Sequence, residues 1–167
     1  GVVVLRVDET VESDLRRLFP APEISIFVSR VESGDDLTPD TIATMEAALP
    51  RAAGLLPAAP LDAVGYACTS GATLIGPARI AALVREGARA AAVTEPLTAA
   101  IEALRGLGAR RIGFVSPYLE SVAAPMAAAF ETAARAIARR VSFGERVEAR
   151  VARIDPASTA EAARAAA

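Results

Sequence analysis

The stretch Leu61-Asp-Ala-Val-Gly-Tyr-Ala-Cys68-Thr69-Ser70-Gly71 changes character at the only cysteine of the chain. Up to Cys68 it is a short apolar run, which predicts a buried strand. From Gly71 to Val84 an apolar stripe at helical spacing predicts a helix beginning near Ala72 and ending around Gly87, with Leu74, Ile80, Leu83 and Val84 buried. A strand running straight into a helix is the unit of an α/β fold, and the flanking sequence repeats it.

On the N-terminal side, Val2–Val7 predicts a first strand. Asp8-Glu9-Thr10 predicts a turn and helix cap, and Val11–Leu18 a short helix closed by Pro20 and Pro22. Glu23–Ser29 alternates as a second strand, with Ile24, Ile26 and Val28 on one face. A polar loop over Glu32–Asp36 leads to Thr38-Pro39, a good helix start, and the helix runs to Ala53 with Ile42, Met45 and Leu49 inward. On the C-terminal side, Ala90–Val93 predicts a strand, Thr94-Glu-Pro96 a helix start, and Leu107-Gly108 the end of that helix. Arg111–Val115 predicts the next strand, Leu119–Ala136 a long Ala-rich helix, and Ala138–Phe143 a strand. Pro156 and Ser158 open a last helix.

Composition bounds the function. The 167 residues are 53% hydrophobic and 23% charged, which is globular composition with enough chain for a real core. A net charge of −2 and a pI near 5.3 give no broad attraction to nucleic acid or to an anionic membrane. All 18 basic residues are Arg. One Cys excludes an internal disulfide and fits a reduced, cytoplasmic setting; no signal peptide or membrane span is visible. The absence of His argues against the common zinc and haem sites, and it removes the Ser–His and Cys–His dyads. No glycine fingerprint for nucleotides is present.

Three strand ends carry polar groups: Asp8-Glu9-Thr10, Cys68-Thr69-Ser70 and Ser116-Pro117-Tyr118. In open parallel sheets ligands bind at the carboxyl ends of strands, so these clusters are candidates for one pocket. A thiol at a strand-to-helix turn is expected to be favoured as thiolate by the helix dipole and free N–H groups; the competing reading is a small buried apolar residue. Thr69, Ser70 and the N–H groups around Gly71 suit a carboxylate, or simply cap the helix. Tyr118 either faces a ligand or packs at a helix start. Glu12 reads as a first-turn acid, Arg30 as a solvated or paired residue, and Asp155 as a cap.

Taken together and in order, Tyr66-Ala-Cys68-Thr69-Ser70-Gly71, Thr38-Pro39, Ser116-Pro117-Tyr118 and Arg153-Ile-Asp155-Pro156 resemble the arylmalonate decarboxylase and maleate cis-trans isomerase group of the aspartate/glutamate racemase superfamily. Val4-Leu-Arg-Val-Asp8-Glu9-Thr10-Val-Glu12 is most similar to the ectoine-utilisation proteins of that group.

The resemblance implies two flavodoxin-like lobes around one site, no metal or organic cofactor, and a small mono- or dicarboxylate substrate. It implies a first lobe over 1–96 carrying Cys68, then over 97–167 a connecting helix and the first part of a second lobe. Gly1 in place of an initiator Met, and an end inside a helix, suggest a piece of a longer chain. A second catalytic thiol is implied on a strand beyond the last helix. In the isomerases and racemases a cysteine occupies the position of Cys68, whereas arylmalonate decarboxylases carry Gly there, so Cys68 points to isomerase or racemase chemistry; the alternatives are an arylmalonate-type decarboxylase and a non-catalytic carboxylate-binding accessory protein in which Cys68 is structural. By resemblance, Cys68 is the nucleophile or proton-transfer base. Thr69, Ser70 and Gly71 with their N–H groups hold a substrate carboxylate, Tyr118 donates to it, and Glu9 lies near the substrate. Self-association into a homo-oligomer is compatible with these readings.

Overall fold

In the computed structural model, residues 1–34, 38–133 and 136–167 are described. Among the described residues no helix is long and apolar enough to cross a membrane. Strands and helices alternate: β1 (Val2–Leu5), α1 (Val11–Leu18), β2 (Val28–Val31), α2 (Pro39–Ala53), β3 (Leu61–Ala67), α3 (Thr69–Ile75), α4 (Pro77–Gly87) and β4 (Ala90–Thr94). They continue as α5 (Pro96–Gly106), β5 (Arg111–Tyr118), α6 (Glu120–Thr132), β6 (Ala136–Glu145), α7 (Glu148–Val151) and α8 (Pro156–Ala166). β1 to β4 form a parallel sheet in the order β2-β1-β3-β4, the flavodoxin-like order expected of the first lobe, and β5 and β6 form a second, two-stranded parallel sheet.

The apolar strand positions account for the core. Val3, Val4, Val31, Val64 and Tyr66 are essentially inaccessible, and Leu49 and Ala53 of α2 and Ile80 and Val84 of α4 close over them. Each such aliphatic side chain contributes about 1.5–3 kcal/mol by leaving water. The same cluster runs on through Leu97 to Phe114, Met126 and Phe130, so both sheets share it. The rings of Phe114 and Phe130 lie 6.1 Å apart at 59°.

Several boundaries differ from the sequence expectation. β1 ends at Leu5 rather than Val7, because the chain turns there and Asp8 N–H returns to the Leu5 carbonyl at 3.1 Å. β2 begins at Val28 rather than Glu23. Its ladder starts with Val2 opposite Val28, the Phe27 carbonyl accepting the Val2 N–H at 2.8 Å, so residues 23–26 have no strand to pair with, and Ile24 is exposed. Of the polar loop over Glu32–Asp36, residues 35 and 36 lie outside the described residues. The expected single helix from Ala72 to Gly87 is two. Gly76 adopts φ +91°, and Pro77 opens a new helix because it has no N–H to continue the old one. Leu74 is consequently exposed, and α3 buries Ser70, Gly71 and Ala72 instead. α6 stops at Thr132; residues 134 and 135 of the expected helix lie outside the described residues, and Ala136 already belongs to β6. The four-residue α7 was not anticipated.

Side-chain caps close several helix starts. Thr38 caps α2 through Thr41 N–H, and Asp155 caps α8 through Ala157 N–H. Glu95 is buried and accepts from Leu97 N–H at 2.7 Å and Thr98 N–H at 2.9 Å, which caps α5 where it leaves the first sheet and packs beside α3. Glu95→Ala removes this cap and is expected to cost about 1–2 kcal/mol. Chemical denaturation should register that loss with an unchanged m-value, and a melting temperature lower by about 2–8 °C.

Candidate active site

β1 and β3 lie side by side at the centre of the sheet, where the strand order reverses. In open α/β sheets the crevice outside the carboxyl ends at such a point is where ligands bind. A cavity of about 770 Å³ opens there. Leu5, Val7, Asp8 and Thr10 line it from β1 and the loop beyond; Ala67, Cys68 and Thr69 from the end of β3; and Val115, Pro117 and Tyr118 from β5. Phe143 of β6, Glu148 of α7 and Thr159 of α8 complete the wall. All three polar strand ends singled out in the sequence therefore meet in one place.

Cys68 is the N-cap of α3. Its backbone is extended, its sulfur accepts the Gly71 N–H at 3.2 Å, and Ser70 Oγ lies 3.4 Å from the same sulfur. The first helical residue is Thr69, so the Thr69 and Ser70 N–H groups come before any intrahelical acceptor. Gly71 is required here for room. A Cβ on it would stand 2.3 Å from the Tyr66 hydroxyl, 3.1 Å from the Cys68 sulfur and 3.2 Å from Met45 Cε. Tyr66 itself is buried, with its hydroxyl 3.0 Å from Met45 Sδ, and burial pushes its pKa up.

The candidate residues divide into three groups. Cys68, Thr69 and Tyr118 face the cavity. Ser70 and Gly71 stand behind Cys68: Ser70 is fully buried and reaches both the thiol and the Tyr118 hydroxyl, and the Gly71 N–H is already used by the sulfur. Glu9 is turned out. It makes a two-pronged ion pair with Arg153, at 2.8 and 3.1 Å, outside the cavity wall. Arg153 holds the Glu9 carboxyl below its usual range, and the pair links the loop after β1 to the segment before α8.

The neighbours of Glu9 behave differently from it. Asp8 Oδ1 accepts the Thr10 and Val11 N–H groups at 3.1 and 2.9 Å, which caps α1 in place of Thr10. Arg30 donates to the carbonyls of Leu5 and Asp8 at 3.1 and 2.9 Å and so holds that loop from β2. Glu12 pairs with Arg16 on the surface of α1. Tyr118 is held in place by its own backbone: its N–H donates to Ser116 Oγ at 3.2 Å, and its carbonyl accepts from Ser142 Oγ.

The electrostatics correct the expectation of a ready thiolate. Cys68 is only 5% exposed, and this burial pushes its pKa above the ordinary cysteine value. The Ser70 and Gly71 hydrogen bonds pull it down but are outweighed, and the charge of Glu148 raises it further. Tyr118 is also pushed up, first by burial and then by Glu148 and Cys68. Glu148, which the sequence reading passed over, is 7% exposed, and burial raises its carboxyl above the usual range. It sits just beyond the end of β6, the one cavity-lining strand end whose following residues looked unremarkable in the sequence.

Because Cys68 is the sole thiol, alkylation reports on it alone. Iodoacetamide should label the native protein slowly near pH 7 and faster as pH rises past the range in which a free thiol ionises, since the thiolate forms only above the raised pKa. Urea-unfolded protein should label at the ordinary cysteine midpoint, near pH ~8.5. Equal midpoints in the two states would contradict the buried-thiol electrostatics.

No family model matches the sequence, and no curated protein matches it. Solved structures do. The chain superposes on a Nocardia farcinica maleate cis-trans isomerase variant, solved with a covalently bound succinylcysteine intermediate, with a TM-score of 0.86 at 26% identity, covering 99% of this chain and 71% of that one. It matches the maleate isomerase Iso of Pseudomonas putida S16 with a TM-score of 0.81 at 22% identity, covering 95% and 68%. It matches a liganded double variant of arylmalonate decarboxylase with a TM-score of 0.75 at 23% identity, covering 99% and 70%. These neighbours are enzymes of the Asp/Glu racemase superfamily, the group to which the sequence motifs pointed.

Proposed function

We propose, from a fold shared with maleate cis-trans isomerases and arylmalonate decarboxylases, that the protein is a cofactor-independent isomerase or racemase using Cys68 on a small mono- or dicarboxylic acid. The observation that carries this reading is one thiol opening on a cavity at the strand switch point, with Thr69 and Tyr118 on the same wall. In this reading the Tyr118 hydroxyl, the Thr69 hydroxyl and the first N–H groups of α3 receive the substrate carboxylate. They also stabilise the enolate-like charge that develops on it.

Two steps are open to the sulfur. In proton exchange, an enolate's electron pair takes the Cys68 proton to form a C–H bond, and the negative charge moves to sulfur; the reverse step removes an α-proton. In cis-trans isomerisation, the ionised sulfur bonds to one alkene carbon while the π pair moves towards the carboxylate. Rotation follows about the new single bond, and the pair returns as the C–S bond breaks. The covalent succinylcysteine of the Nocardia enzyme supports the second route by analogy.

The raised pKa of Cys68 favours a further reading alongside it. A resting thiol delivers a proton without prior ionisation, which is the step that ends the decarboxylation of a malonate-like acid after carbon dioxide leaves. The similarity of 4–12 to ectoine-utilisation proteins supports a substrate from ectoine breakdown, and a single free thiol suits the cytoplasm. The division into a first lobe over 1–96 and the start of a second over 97–167 belongs to the same reading.

Small carboxylates incubated with the protein in deuterium oxide separate the chemistries. Deuterium at the α-carbon of recovered substrate indicates proton exchange, a cis-to-trans change in an alkene acid indicates isomerisation, and carbon dioxide release indicates decarboxylation. Whichever is found, Cys68→Ser is expected to lower turnover by about 10²–10⁴-fold while carboxylate binding persists. Undiminished turnover in Cys68→Ser removes the proposal.

A further inference from the structure

Among the described residues the cavity wall carries three carboxyl groups, Asp8, Asp14 and Glu148, and no Arg. Two of the three are committed. Asp8 caps α1, and Asp14 pairs with Arg17 at 3.0 Å. Glu148 is not. The residue is 7% exposed and lines the cavity, and among the described residues burial is the one cause that shifts its carboxyl. The ionisable groups that sense its charge are Cys68 at the end of β3 and Tyr118 at the end of β5, the same two side chains assigned to the reacting centre. A carboxyl that opens on the cavity and has no protein donor among the described residues is available to a donor on a ligand.

We propose that Glu148 is the specificity-determining residue of this cavity: it receives an ammonium or N–H group on a monocarboxylate and turns away a second carboxylate. The inference rests on the reading that Cys68 acts on an acid bound here, and it narrows that acid's class. With a carboxylate anchored near Thr69 and Tyr118, the far side of a short substrate meets Glu148. A second carboxylate placed there would face like charge with no cation among the described lining residues, whereas an ammonium group would gain a charge-assisted hydrogen bond.

Protection of Cys68 from iodoacetamide by butyrate, 2-aminobutyrate, 4-aminobutyrate and succinate tests this. In the wild type, at least one aminobutyrate should protect at concentrations about tenfold or more below those of butyrate and succinate, the gain expected of one hydrogen bond to a charged group. In Glu148→Gln that preference should collapse, and the ligand-free thiol should be alkylated faster at pH 8, because the charge opposing the thiolate is gone. Glu148→Asp keeps the charge and should keep the order of preference. Succinate protecting the wild type as well as the aminobutyrates, an unchanged preference in Glu148→Gln, or an unchanged ligand-free rate in that variant would each overturn the assignment. If none of the four acids protects Cys68 in any variant, the carboxylate site itself falls, and Glu148's role falls with it.

Discussion

Every part of the site depends on β1 being paired in parallel on both sides, to β2 and to β3. Parallel pairing sends the carboxyl ends of all three strands to one edge, and the change of strand order at β1 leaves a gap there that no crossover helix fills. In the strands supplying that pairing, Val3, Val4, Leu5, Leu61, Val64 and Tyr66 are buried in the apolar core. Hydrophobic burial therefore makes the scaffold, while the polar residues at the strand ends are left free to do chemistry.

The electrostatic consequence is a tension around one sulfur. Helix geometry offers Cys68 the Gly71 N–H, and Ser70 adds a hydroxyl, yet removal from water and the nearby charge of Glu148 act more strongly in the other direction. A helix terminus stabilises an anion only as far as the surroundings also solvate it. At Cys68 the surroundings do not, and the resting group is the thiol.

Much of the architecture was legible because its signals are local. β3 and α1 fall at the expected residues, and α2 spans them too, because alternation, Thr38-Pro39 and clean apolar spacing agree there. The misread boundaries are those set by partners distant in sequence. Residues 23–26 have strand-like alternation but no strand beside them, and Gly76 overrides a continuous helical stripe. At the candidate site, position at strand ends singled out Cys68, Thr69 and Tyr118, and all three lie on the cavity wall. Glu9, read as lying near the substrate, pairs instead with Arg153, a partner 144 residues away that no local signal reveals. Glu148 was missed because a Val-Glu-Ala-Arg segment looks like ordinary surface helix. It is buried on the cavity wall, and the signal that pointed to it was only that it follows another strand end.

The hold of Arg30 on the carbonyls of Leu5 and Asp8 has a consequence for how such a site changes over time. Carbonyl oxygens are common to all residues, so the path of the loop after β1 is set from the neighbouring strand without reference to the side chains it carries. Exposed positions of that loop, Glu9 among them, are thereby free to mutate towards new ligands while the main chain keeps its course. One guanidinium separates the inheritance of shape from the inheritance of selectivity.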